Sequence, residues 1–483
     1  MDKTTELKKS NTKYYINAAI GIAIMLIGQF VPAAGSITDV GMKVLFIYIG
    51  LLWSWSTVGL IWPSFLGIIM LGFSGYDTVS NLIVSGFGNS TNIYIMLILI
   101  FSYFVTSSGV SDILVRSIIG QKFAKGKPYV ISWLFLTASY VCAFLISMTP
   151  AAIIVWAILT KCCADVGYKK GDKYPILMIV GIAQAALMGY SAVPYHMPAA
   201  TLVGMAEEAG YPVSFTSFVI VAFVIGYGSV LLYLLAMKFI FRPDVSKLTV
   251  GYDFSIKEKM TPYQKKILAS IFLLIIAFFI QSTFKTTAVG AFLTKLGTSG
   301  IVLAFIMVMS FFKKQDGTPF VDVIKATKDG VAWPVYFCLT VGMTIATALG
   351  SADLGIKDQI QSFLAPFFGN TGSQFALLAF AIIAMLIMTN LMGNFSCAII
   401  LFTVCSPLAA SLGINLATLA CLMGVLANCS IVFPSANPLA AMMHGMKDWL
   451  EAKDIYKYAG VMVLCCAICA LIVAGTFGGA IFG

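Results

Sequence analysis

Residues 128–160 read PYVISWLFLTASYVCAFLISMTPAAIIVWAILT, and residues 374–411 read QFALLAFAIIAMLIMTNLMGNFSCAIILFTVCSPLAAS. Neither stretch holds a charged residue, yet each is interrupted at its middle by a short polar motif. In the first it is Ser147-Met148-Thr149-Pro150, and in the second Gly393-Asn394-Phe395-Ser396. The pieces on either side run for about 15–19 residues, slightly under the ~20 that span a hydrocarbon core as helix. The two stretches also match. Residues 109–167 align without a gap on 355–413, an offset of 246, bringing Ala152-Ile153-Ile154 onto Ala398-Ile399-Ile400. Downstream, Pro194-Tyr195-His196-Met197-Pro198 meets Pro434-Ser435-Ala436-Asn437-Pro438 at an offset of 240. The chain contains an internal repeat.

The rest of the chain has the same character. Of its 483 residues 60% are hydrophobic and 10% charged, with a mean hydropathy of +0.95. Soluble chains are about 25% charged, so this one cannot cover itself with polar surface. The composition excludes disorder, fibrous structure and a soluble enzyme on an anchor, and implies an all-α polytopic membrane protein. Residues 1–39 read as a cytoplasmic N-terminus and a retained first helix. The eleven cysteines fall mainly inside apolar segments and read as small packing residues; with two histidines there is no metal-type spacing.

Charge orients the two copies. Arg116, Lys122, Lys125 and Lys127 precede the first interrupted stretch, and Lys161, Lys169, Lys170 and Lys173 follow it. Both ends are therefore expected in the cytoplasm. The second stretch has no Lys or Arg on either flank until Lys447, so its ends are expected outside. Matched segments with opposite flanks form an inverted-topology repeat: a first half over 40–241 with a hairpin at about 128–164, and a second over 267–483 with a hairpin at about 374–411. A cytoplasmic linker at 242–266 joins them. The +10 balance thus reports loop orientation in the cytoplasmic membrane, N-terminus inside and C-terminus outside, and not a nucleic-acid partner.

Paired helix breaks in inverted repeats mark a transporter's binding site, because non-helical backbone at membrane depth needs partners. Half-helix N-termini suit a carboxylate, and unwound carbonyls suit a cation. His196, between two prolines, is an ionisable residue at membrane depth that could bind a carboxylate or carry a proton. Tyr195, Ser435 and Asn437, with the flanking Pro194 and Pro434, complete the polar lining. No acidic or basic residue falls inside either hairpin or broken segment, which disfavours a carboxylate proton relay.

Hairpin, Ser-x-Thr tip and proline-broken helix, repeated in inverted form, resemble the divalent anion/sodium symporter family of the ion transporter superfamily, over residues 40 to 483. Gly86-Phe87-Gly88-Asn89-Ser90-Thr91 and Ser108-Gly109-Val110 add to the likeness. The resemblance implies about eleven spanning helices plus two re-entrant hairpins, a homodimer in membrane lipid, and an elevator movement of a transport domain past a scaffold. It implies C4-dicarboxylate, citrate or sulfate as cargo and sodium as the coupling ion, with no other cofactor. The family's tips read Ser-Asn-Thr, which gives substrate contacts to Ser147, Thr149, Asn394 and Ser396. Its second sodium site falls on Thr389, Asn394 and backbone near Ala436. Met148 stands where the first site has asparagine, and a thioether is a poor ligand for a hard cation. The expected function is secondary active transport of small organic dianions, sodium-coupled or anion-exchanging. The alternative is proton-coupled transport of a monocarboxylate, amino acid or inorganic oxyanion. A lipid-modifying membrane enzyme would need clustered catalytic side chains at one membrane face, and the sequence has none.

Overall fold

In hydrocarbon a backbone amide has no water to bond, so each apolar run must close its hydrogen bonds on itself, as helix. A computed structural model of the chain describes residues 3–250, 260–314, 317–331, 333–356, 358–359, 362, 374–391, 394–434 and 436–477. Among them there is no strand, only isolated bridges between Ala34 and Ile37 and between Lys313 and Pro319. The first half of the chain forms α1 (Lys3–Ile27), α2 (Asp39–Thr57), α3 (Ile61–Phe73), α4 (Val79–Phe87), α5 (Ser90–Ser107) and α6 (Val110–Ile119). A hairpin follows, α7 (Pro128–Leu145) and α8 (Met148–Asp165), and then α9 (Lys173–Ser191), α10 (Ala199–Glu208) and α11 (Phe215–Ala236).

The second half forms α12 (Pro262–Thr283), α13 (Ala288–Phe311), short turns Val323–Lys325 and Ala326–Gly330, and α14 (Trp333–Gly350). A second hairpin, α15 (Gln374–Leu391) and α16 (Asn394–Ser411), leads to α17 (Leu416–Leu426), α18 (Pro438–Gly445) and α19 (Ala452–Phe477). Both helices of this hairpin start and end 246 positions after their counterparts in the first. Of the linker, residues 251–259 lie outside the described residues, as does Gly393 at the second tip.

Local chemistry sets the helix ends. Thr38, Thr78, Ser214 and Thr287 each accept from a backbone N–H in the first turn, satisfying groups a helix start leaves orphaned. Thr261 and Gln264 form a reciprocal capping box at α12, and Pro128, Pro262 and Pro438 occupy first turns, where no N–H is missed.

Eight helices among the described residues are long and apolar enough to cross a membrane: α7, α8, α9, α11, α12, α13, α15 and α19. The pair α4–α5, bent by 44°, would be a ninth. This is fewer than eleven, and four of these eight, α7, α8, α9 and α15, lie in hairpins or the first half of a broken helix. α3, with 13 residues, and α17, with 11, are too short alone.

The centre of the molecule is α9. Every residue in it except Lys173 and Tyr190 is buried, as expected of a helix apolar on all sides. Three helices donate side-chain hydrogen bonds to its carbonyls: Tyr233 of α11 to Leu177 at 3.0 Å, Trp156 of α8 to Ile179 at 2.9 Å, and Ser139 of α7 to Ile182 at 2.9 Å. α17, the corresponding helix of the second half, is buried over its whole length. These helices and their neighbours share one large apolar cluster, while α2 to α4 pack with α14 in a second. A small third cluster, Ile95, Ala200 and Met343, lies where the two meet.

Close backbone approach needs small residues. A Cβ on Gly189 would run into the Tyr140 carbonyl, whereas one on Gly460 of α19 would meet nothing within 4 Å. Gly189→Val should therefore lose about 1–3 kcal/mol to overpacking and shift the thermal transition in size-exclusion analysis to lower temperature. Gly460→Ala should not lower it. Equal transitions for the two variants would refute this account of α7–α9 packing.

Candidate functional site

Two buried helices, α9 and α17, are each broken before a proline motif. α9 stops at Ser191 and helix resumes at Ala199; α17 stops at Leu426 and helix resumes at Pro438. The breaks release carbonyls and amides that buried side chains must answer. Asn428 answers for both repeats. Its side chain is fully buried, and its Nδ2 donates to Ser191 Oγ at 2.8 Å and to the Met197 carbonyl at 3.2 Å. Its Oδ1 accepts from Asn394 Nδ2 at 2.6 Å. One amide thus joins the second hairpin tip to the first broken helix.

Around it the second break is closed by further amides and hydroxyls. Asn390 donates to the carbonyls of Leu386 at 2.8 Å and Cys429 at 2.7 Å, and accepts from the Val432 N–H at 3.0 Å. Thr389 donates to the Ala427 carbonyl. Asn437 caps α18, accepting from Ala440 N–H at 2.9 Å, and donates to the carbonyl and hydroxyl of Ser430. His444 bonds the Val432 carbonyl through Nε2 at 3.0 Å, bracing the break from its far end.

The first break carries the aromatic side. The His196 ring lies flat on Tyr190, centroids 4.0 Å apart and planes within 6°, with Tyr195 edge-on at 4.7 Å. His196 Nδ1 is 2.8 Å from the Tyr190 carbonyl. A carbonyl can only accept, so Nδ1 carries the proton, and in the neutral ring Nε2 keeps its lone pair. His196 lines a cavity of about 230 Å³ with Tyr190, Tyr195, Ser147, Ser102 of α5 and Asp329. That space is large enough for a small carboxylate. Ser102 also donates to the Ile146 carbonyl at 3.3 Å, tying α5 to the first tip. No Lys or Arg lines this cavity among the described residues.

The expected site residues separate into groups. Ser147, Tyr195 and His196 share the small cavity; Asn394 reaches the first repeat through Asn428; Asn437 holds Ser430. Ser147 begins α8 without capping it, while Thr149, half-buried in the first turn of α8, is not among the cavity's lining. Thr389 and Ala436 are buried, and Pro434 is exposed. Pro194 faces a different, larger cavity. Ser435 and the side chain of Ser396 lie outside the described residues.

The first broken helix does hold acids, Glu207 and Glu208 at the end of α10, and outside both broken helices Asp329, in the turn before α14, lines the small cavity. Asp112, by contrast, pairs with Arg116 on the surface of α6 at 3.0 Å. Sequence reasoning missed Asn428, Asn390, Ser430 and Ser191. The run Asn428-Cys429-Ser430, polar within an apolar stretch and just before the proline motif, was the available signal.

Removing Asn428 leaves several buried partners unsatisfied, at about 1–3 kcal/mol for each. Asn428→Ala should melt well below wild type. Asn81→Ala, which removes only an exposed bond to Asp77, should melt with it. A variant as stable as Asn81→Ala would mean that Asn428 does not hold the two breaks together.

Comparison with known proteins fits this architecture. The chain is similar to the YdaH transporter of Alcanivorax borkumensis, with a TM-score of 0.58 at 15% identity over 84% of this chain and 90% of that one. It is also similar to MtrF of Neisseria gonorrhoeae, described among a class of antimetabolite efflux pumps, with a TM-score of 0.57 at 13% identity over 94% and 98%. At such identities the likeness is one of fold. Comparison with curated protein sequences gives no match. The family model described as citrate transporter, CitMHS, matches residues 48–317. That is more than half of a multi-pass membrane chain whose broken helices meet at one buried amide, and the chain belongs to the citrate transporter family.

Proposed function

We propose that the protein moves small organic dianions, C4-dicarboxylates or related carboxylates, across the cytoplasmic membrane by secondary active transport. The observation that carries this reading is the amide chain from Asn394 through Asn428 to Ser191 and Met197. It makes the second tip and the first broken helix one unit. Such a unit can travel as an elevator past α2 to α4 and α14, whose buried residues supply most of the second cluster, with Phe395 and Ile400 of the second hairpin against it. Family membership supports a carboxylate as cargo. Without Lys or Arg in the small cavity, the carboxylate would be held by helix N-termini, hydroxyls and amides, Ser147 from the cavity and Thr149, Asn394 and Ser396 from the hairpin tips beside it.

Coupling is to sodium or to exchange of a second anion. Thr389, Asn394 and the carbonyls near Ala436 supply the hard oxygen donors a sodium ion takes, and the likeness to divalent anion/sodium symporters supports that choice. The hairpins are read as entering from opposite sides of the bilayer, with the N-terminus cytoplasmic, the C-terminus outside and the protein a homodimer. One observation favours a second reading. His196 and Asp329 share the small cavity, so a proton could replace sodium as the driving ion.

Purified protein in liposomes should take up labelled succinate or citrate when given a sodium gradient or internal dicarboxylate. Absence of uptake under every gradient, with folded protein, would reject the carboxylate assignment. Asn394→Ala should reduce uptake at least tenfold, and wild-type rates would remove the second tip from the site. His196→Gln decides between the ions. A pH-driven uptake that survives it does not run through the imidazole, whereas its loss with sodium-driven uptake intact assigns the proton to His196.

A further inference from the structure

The larger cavity, of about 620 Å³, is within the range of about 300–1,000 Å³ usual for ligand sites. It lies between α10 and α11 on one side and α5, α12 and α13 on the other. Pro194 is the part of the first break that reaches it; the next two residues, Tyr195 and His196, line the small cavity instead. The partition between the two is aromatic. Phe278 and Phe215 stand 5.5 Å apart on the large-cavity side, and Tyr195 stacks behind them at 5.9 and 6.4 Å. Tyr94 joins Phe278 at 6.3 Å. The large cavity therefore has an apolar wall of its own.

Beside hydroxyl and amide side chains on α5, α12 and α13, its lining holds two charged groups. Lys285, in the loop after α12, supplies the lining's cation. Gly297, with φ of 69°, interrupts α13, so Thr298 and Ser299 begin a fresh helical run at the cavity. Both features favour an anionic group. Glu207 supplies the lining's acid, and its carboxylate already accepts from the Val213 backbone N–H. One cation against one acid, with an aromatic wall, suits a single carboxylate on an apolar body better than a dianion charged at both ends.

We propose that this cavity is a second binding site, distinct from the small one, for an amphipathic monocarboxylate, with its carboxylate toward Lys285 and its apolar body on Tyr94, Phe215 and Phe278. The inference goes beyond the transport reading and does not require it. Hexanoate is the probe, titrated calorimetrically into the purified full-length protein, with propionate as the short-chain comparison. Hexanoate should bind at least tenfold more tightly than propionate. Lys285→Gln should weaken it at least tenfold, and Asn394→Ala should leave it unchanged even where uptake is lost. Lys285 is exposed, so its replacement tests the site without disturbing the core. As a second measurement, hexanoate should slow maleimide modification of a Lys285→Cys variant. Equal binding of the two acids, wild-type affinity in Lys285→Gln, no protection of the cysteine, or loss of hexanoate binding in Asn394→Ala would each overturn the proposal. The last outcome would place the ligand at the second hairpin tip instead.

Discussion

A backbone carbonyl or N–H buried without a partner costs several kcal/mol, and this structure breaks two of its most deeply buried helices. Everything around the site answers that cost. Thr389, Asn390 and Asn437 bond the carbonyls and amides of the second break itself. The first relies on the Tyr190 carbonyl for His196 and on Asn428 for Met197. Because Asn428 serves both, the two breaks cannot move independently without breaking buried hydrogen bonds.

That constraint explains the packing. A broken helix has fewer internal bonds than a continuous one, so it needs rigid neighbours. α9 receives hydrogen bonds from α7, α8 and α11 and has almost no exposed residue. α12 and α13, by contrast, are mostly unburied along their apolar windows. The polarity of the molecule is thus inverted relative to a soluble protein, with amides and hydroxyls at the centre and apolar side chains outside.

Much of this was legible in the sequence. The uncharged stretches, their central interruptions and the offset of 246 are local or periodic features, and the helices of the two hairpins carry the same offset. His196 and Asn437 were visible because a polar residue beside proline in an apolar run is conspicuous. Asn428 was not. Its partners lie 231 and 237 positions away, and nothing in a linear pattern says which distant carbonyl an amide will meet. Pro194 and Tyr195 are adjacent in sequence yet face different cavities, a division set by how the chain turns between helices. Glu207 escaped notice because α10 resumes after the break and runs further than the proline motif suggests.

Composition and repeat alone determined that the chain is helical, crosses a membrane several times and concentrates polar motifs at four breaks, because hydrocarbon leaves the backbone no other solution. Only the tertiary structure decided which of those motifs share a cavity, which amide holds the repeats together, and that Asp329 and Glu207 approach the breaks. Those outcomes depend on contacts between segments hundreds of residues apart, fixed by close packing of helices and not by the order of residues within any one of them.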